Sequence, residues 1–156
     1  MGEKQELLEI YKLHAGLADS ISKQRGTANR FYMLVLSGLA VIFSAFLQHK
    51  NGVPLRWLMV GFGLFGMFLT TAWYVVIRSY RQLNTGKFNA LHELEEKLAY
   101  PFFKREWSLL NEGKDFRSYW KLSVVETFVP GIFFLGFLAL MLIGICLAAA
   151  DTGGTQ

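Results

Sequence analysis

The residues best suited to chemistry gather where apolar sequence gives way to polar sequence. From Ile77 to Phe88 the chain reads IRSYRQLNTGKF, which brings Arg78, Tyr80, Arg81, Asn84 and Lys87 in quick succession after a long apolar run. Such a set is either a functional site at a membrane surface or the place where a buried helix comes up into water. A second candidate is Glu126, in VVETFVPG, four residues before Pro130 at the head of another apolar run. A carboxylate at that depth is costly unless it is paired. The expectation is an ion pair of Glu126 with Arg78 or Arg81, the alternative being that Glu126 reaches interfacial water.

Other chemical signals are weaker. GFGLFG at Gly61–Gly66 matches the dinucleotide-binding spacing letter for letter. That motif works only between a strand and a helix N-terminus, and here both flanks are apolar helix. Small residues let helix backbones approach, so Gly61, Gly63 and Gly66 are expected to make close helix contacts, within the membrane or between subunits. His14, His49 and His92 share no metal-ligand spacing, and His92 with Glu96 at i, i+4 supplies two ligands, too few for a site. Neither a P-loop nor a nucleophile elbow is present. Cys146 is the one cysteine, which leaves no intrachain disulfide, and its apolar surroundings should keep it inert. No catalytic residue, cofactor or metal site is expected.

The elements that must position these residues are three uncharged apolar runs. Phe31–Gln48, Trp57–Ile77 and Thr127–Ala150 contain 18, 21 and 24 residues. A membrane-spanning helix needs about 20. The expected fold class is an all-α membrane protein with three transmembrane helices, at 31–48, 57–77 and 124–150, the second extended into a cytoplasmic stalk. Thirty residues with several acidic side chains precede the first run, which is unlike a secretory signal peptide. Lys and Arg are concentrated before the first span and, nine in number, between Arg78 and Lys121. The positive-inside rule then places the amphipathic segment 1–30 and the helical segment 78–121 in the cytoplasm. It puts the turn 49–56 and the tail 151–156 outside. A net charge of +4 without a basic arm argues against nucleic acid.

The cytoplasmic parts carry helical stripes. Leu7, Tyr11, His14, Ala18 and Ile21 share one face, widened by Leu8, Ile10 and Leu17, and Gly26 marks a joint before the first span. The second span meets no stop signal at the membrane face. Phe88, Leu91, Leu94 and Leu98 continue its helix, with Glu95 and Glu96 among the polar positions, until Pro101 ends it. A helix from about Trp57 to Tyr100 would be roughly 65 Å long. A short helix in KREWSLL and a turn at 111–115 follow.

Three passages together carry a family resemblance: QRGTANRFY (Gln24–Tyr32), WYVVIRSYRQLNTGKF (Trp73–Phe88) and YWKLSVVETFVP (Tyr119–Pro130). They resemble the RipA-family octameric membrane proteins, small proteins of the bacterial inner membrane. The most specific piece is W-x-x-x-I-x-S-Y-x-x-L-N-x-x-K-F, met by Trp73, Ile77, Ser79, Tyr80, Leu83, Asn84, Lys87 and Phe88. The resemblance implies a homo-octamer and no catalytic residue. A second similarity is to small two-span effectors found beside nucleotide-signalling defence genes, although no sensor domain is legible.

The expected function is that of a non-enzymatic, multi-pass inner-membrane protein forming a homo-octamer, as a scaffold or lipid-filled ring, with a channel-like ring as the mechanistic variant. The alternative is a pore-forming or membrane-disrupting defence effector. The expected partners are further copies of the chain and membrane lipids. Arg78, Tyr80, Arg81, Asn84, Lys87, Phe88, Glu126, Pro130, Gly61, Gly63 and Gly66 are the candidate assembly residues.

Overall fold

The computed structural model describes residues 2–48, 54–98, 100–109 and 122–153. The outer turn expected over 49–56 lies partly outside them, and the turn at 111–115 wholly so. Among the described residues all regular structure is helical: α1 (Glu3–Gln48), α2 (Leu55–Glu95), α3 (Phe102–Leu109) and α4 (Leu122–Gly153). By length and composition α1, α2 and α4 can each cross a membrane.

α1 passes through Gly26 without a break, so the expected joint there is absent. A single helical glycine costs only about 1 kcal/mol, and the helix continues for more than five turns on either side of it. α2 starts as the Pro54 carbonyl accepts from the backbone N–H groups of Trp57 and Leu58. It ends at Glu95, five residues short of the expected Tyr100. There Lys97 and Leu98 donate to Leu94 and Glu95, three residues back, tightening the last turn. Pro101 follows, and its ring disfavours helix in the residue before it. Pro130 lies inside α4 and is buried. Having no N–H, it cannot bond the Glu126 carbonyl one turn earlier.

The chain forms two compact units. The first comprises Met1–Thr27 and Ile77–Glu126, the second Ala28–Val76 and Thr127–Gln156. In the first unit Ala18, Ile21, Ile77 and Leu91 are buried. The rings of Tyr11 and Phe88 pack against Phe103, with centroids 6.2 and 5.7 Å away. The stripe from Leu7 to Ile21 faces inward, whereas Leu8, Ile10 and Leu17 are exposed. In the second unit Leu36, Leu39, Thr70 and Trp73 are buried. Burying a large apolar side chain is worth about 2 kcal/mol, so each unit has a small number of strong anchors.

Candidate functional site

The polar side chains converge on helix joints. In the first unit Arg25 of α1 reaches Glu126 of α4, with Nε and Oε2 3.0 Å apart and both side chains largely buried. The two charges neutralise one another. The Arg25 N–H is not aimed along the line to the oxygen, however, and both atoms are withdrawn from solvent without a hydrogen-bond partner. The contact is therefore ionic, with no aligned hydrogen bond. Glu126 was expected to meet Arg78 or Arg81. Both of those side chains are exposed, and Arg25, which projects from α1 toward α4, takes their place, so the carboxylate that leaves water is not left unpaired.

A second joint is built on Glu95. It was expected on a polar face, yet only 1% of its surface is exposed. Pro101, the residue that precedes α3, has no side-chain oxygen to cap the helix. Glu95 supplies the cap from the end of α2. Its Oε1 accepts from the Phe103 N–H at 2.7 Å and its Oε2 from the Lys104 N–H at 2.9 Å. Both donors are orphan first-turn amides of α3, and their dipoles favour a negative charge. The Tyr11 hydroxyl of α1 donates to Oε1 at 2.9 Å. Burial on its own pushes the Glu95 carboxyl up, but these three hydrogen bonds and nearby His92 outweigh it and hold it below the ordinary 4.5. The Tyr11 hydroxyl is pushed up to about 12 by burial, by its bond to Glu95 and by that carboxylate's charge.

The second unit has its own joints. The Trp73 indole N–H donates to Asn29 Oδ1 at 2.9 Å. Its ring stacks on Tyr32 with centroids 5.9 Å apart and meets Phe133 of α4 at 6.1 Å. Asn29 and Tyr32 both belong to the QRGTANRFY passage. Closer to the far end of α2, a Cβ built on Gly63 would lie 2.7 Å from Met141 Cβ and 2.9 Å from the Phe137 carbonyl oxygen. One on Gly66 would lie 2.2 Å from the Phe137 ring, and one on Gly144 2.8 Å from the Arg56 carbonyl oxygen. Through Gly63 and Gly144, α2 and α4 therefore touch backbone to backbone, while Gly66 leaves room for the Phe137 ring. Gly61 has open space around it. Arg56 pairs with Asp151 at the end of α4.

Of the remaining expected residues, Tyr80 and Lys87 are half-buried and Phe88 packs edge-on against Phe103. Asn84 Oδ1 is buried without a hydrogen-bond partner. IRSYRQLNTGKF thus contributes packing and exposed cations, while the charge pair and the cap form elsewhere. Arg25, Asn29, Glu95, Gly144 and Asp151 were not singled out from the sequence. A usable signal existed for Glu95 alone: a carboxylate six residues before a proline-led helix that lacks a capping side chain.

The octameric membrane protein family matches the chain over residues 8–146. This chain belongs to that family. No curated protein and no solved structure matches it. The family match takes in the Tyr11–Glu95 cap, the Arg25–Glu126 pair and the Trp73 joint, and stops short of Asp151. The passages that carried the resemblance thus meet inside one subunit: Arg25, Asn29 and Tyr32 from the first, Trp73 from the second, Glu126 from the third.

Proposed function

We propose that the protein is a non-enzymatic homo-octamer of a bacterial inner membrane, with its N-terminus in the cytoplasm and its C-terminus outside, acting as a scaffold or a ring that encloses lipid. The observation that carries this reading is the state of the hydroxyls in the spans. Ser37, Ser44, Thr70 and Thr71 are the serines and threonines of the first two spans. Each donates to a carbonyl four residues back in its own helix, at 2.8 to 2.9 Å. Their protons are committed to the backbone, so they offer an aqueous lumen little. A conducting pathway needs charged rings or backbone carbonyls presented to the ion, and these two spans, 31–48 and 57–77, contain no charged residue. The polar groups of the joints hold helices together, which supports a structural role over a catalytic one.

The test is the native mass of the detergent-purified particle, followed by current recording in planar bilayers. Eight copies and no conductance above that of empty bilayers are expected. Currents abolished by substitutions along one helix face would replace this reading with that of a pore-forming effector.

A further inference from the structure

α1 carries more apolar surface than its own subunit covers. At about 100° per residue, Leu7, Tyr11, His14, Ala18 and Ile21 form the arc turned into the first unit. Ile10, Leu13 and Leu17, at i, i+3 and i+7, form a second arc beside it and are 38%, 62% and 40% exposed. Lys12, Asp19 and Lys23 occupy the far side, where Lys23 pairs with Asp19 in water. From Leu13 round to Tyr11 the apolar arc is about 160° wide, against the roughly 100° that a helix with one buried face requires.

We propose that the stripe Ile10–Leu13–Leu17 is covered by a second copy of this chain in the octamer. The inference rests on the octameric reading and names the surface it uses. Lipid chains are the wrong cover, because this part of α1 also carries Glu6, Glu9, Lys12, Asp19 and Lys23. A lipid headgroup surface is the wrong cover too, since helices that bind it surround the apolar face with Lys and Arg, and here Glu9 flanks the stripe and Glu6 lies in line with it, one turn before Ile10. Another helix with the same spacing is the surface such a stripe fits, and the octameric reading supplies seven further copies.

Two measurements test this. The first is the native mass of Leu13→Lys and of Leu13→Lys/Leu17→Lys, with helix content read by circular dichroism. Particles smaller than eight copies with unchanged helix content are expected. The second measurement is independent of whether those variants fold. Single cysteines replace Leu13 or Asp19 in a Cys146→Ala background and are labelled by a water-soluble maleimide in membranes. Cysteine at 13 should react more slowly than at 19 by about tenfold or more, and the difference should vanish when the particle is dissociated. An octameric wild type in which both positions label equally fast, and in which Leu13→Lys keeps eight copies, overturns the assignment of the surface. A wild type that is not octameric overturns the octameric reading itself.

Discussion

Replacing each glycine of the α2–α4 contact by alanine separates two opposing energies. Alanine in place of a helical glycine gains about 1 kcal/mol by restricting the unfolded chain and favouring the helix. At Gly61 nothing lies within 4 Å of the added methyl, so that gain stands alone, and Gly61→Ala should match or exceed the wild type. At Gly63 the methyl meets Met141 Cβ at 2.7 Å, Met141 N at 2.9 Å and the Phe137 carbonyl oxygen at 2.9 Å. Two of these are backbone atoms of α4, which move only if the helix moves. Overpacking of this kind costs roughly 1–3 kcal/mol, and the helix would also lose its close approach. Gly63→Ala should therefore lose about 1–2 kcal/mol net. Gly66→Ala should fall beside it, because three atoms of the Phe137 ring lie at 2.2 to 2.4 Å. The assay is thermal unfolding of the purified protein in mild detergent, followed by circular dichroism at fixed protein and detergent concentration. Equal stability of Gly63→Ala and Gly61→Ala would refute the backbone-to-backbone packing of α2 on α4. Native mass of the same variants reports on Gly61 separately: a stable Gly61→Ala that loses subunits would place Gly61 against a neighbouring copy.

Glu95→Gln should cost about 1–3 kcal/mol, measured by denaturation near neutral pH, since an amide cannot accept from both first-turn N–H groups and Tyr11 as a charged carboxylate does. The same carboxylate sets an acid limit. Its folded pKa lies below 4.5, so its contribution is complete above 4.5 and is lost as pH falls through the folded value. Tyr11 sets an alkaline limit, its contribution complete below 10 and lost as pH rises toward 12. The Glu95→Gln variant should therefore lose stability less steeply in acid than the wild type. A double-mutant cycle of Arg25→Gln and Glu126→Gln should return a coupling above about 0.5 kcal/mol, whereas Arg81→Gln with Glu126→Gln should be additive. Asn29→Ala should cost about 1–3 kcal/mol by stranding the Trp73 N–H, and Trp73→Phe should not be further destabilised by it.

The three spans and the all-helical fold were legible because they rest on composition and length, which a one-residue shift does not disturb. The inward stripe of α1 was legible for the same reason: Leu7, Tyr11, His14, Ala18 and Ile21 repeat at the helical period, and period is a local property. Partner choice was less legible. Arg78 and Arg81 leave the second span on the side where Glu126 starts the third, and proximity to the membrane face made them reasonable partners. Arg25 was reached instead because it projects from α1 toward α4, a rotation about the helix axis that spacing along the chain does not encode. Glu95 was hidden by its type. A glutamate beside another glutamate reads as solvated, and its burial depends on amides of Phe103 and Lys104 that become available only because Pro101 cannot cap them. Gly144 lay in an apolar run where one glycine looks like any other until the opposing backbone is in place.

The partnership of Arg25 with Glu126 bears on how the molecule is made. The chain leaves the ribosome N-terminus first, and segments fold as they emerge. Tyr11 and Glu95 can find one another once Lys104 has been synthesised, so the first unit can close its cap early. Arg25, about four turns further along α1, is by then still without its counter-charge, which lies 101 residues downstream. Until Glu126 arrives, burying that guanidinium would leave a charge without a partner, which is costly. Synthesis of the last helix thus brings a latch with it, because its first turns carry the counter-charge that the desolvated Arg25 side chain lacks until then.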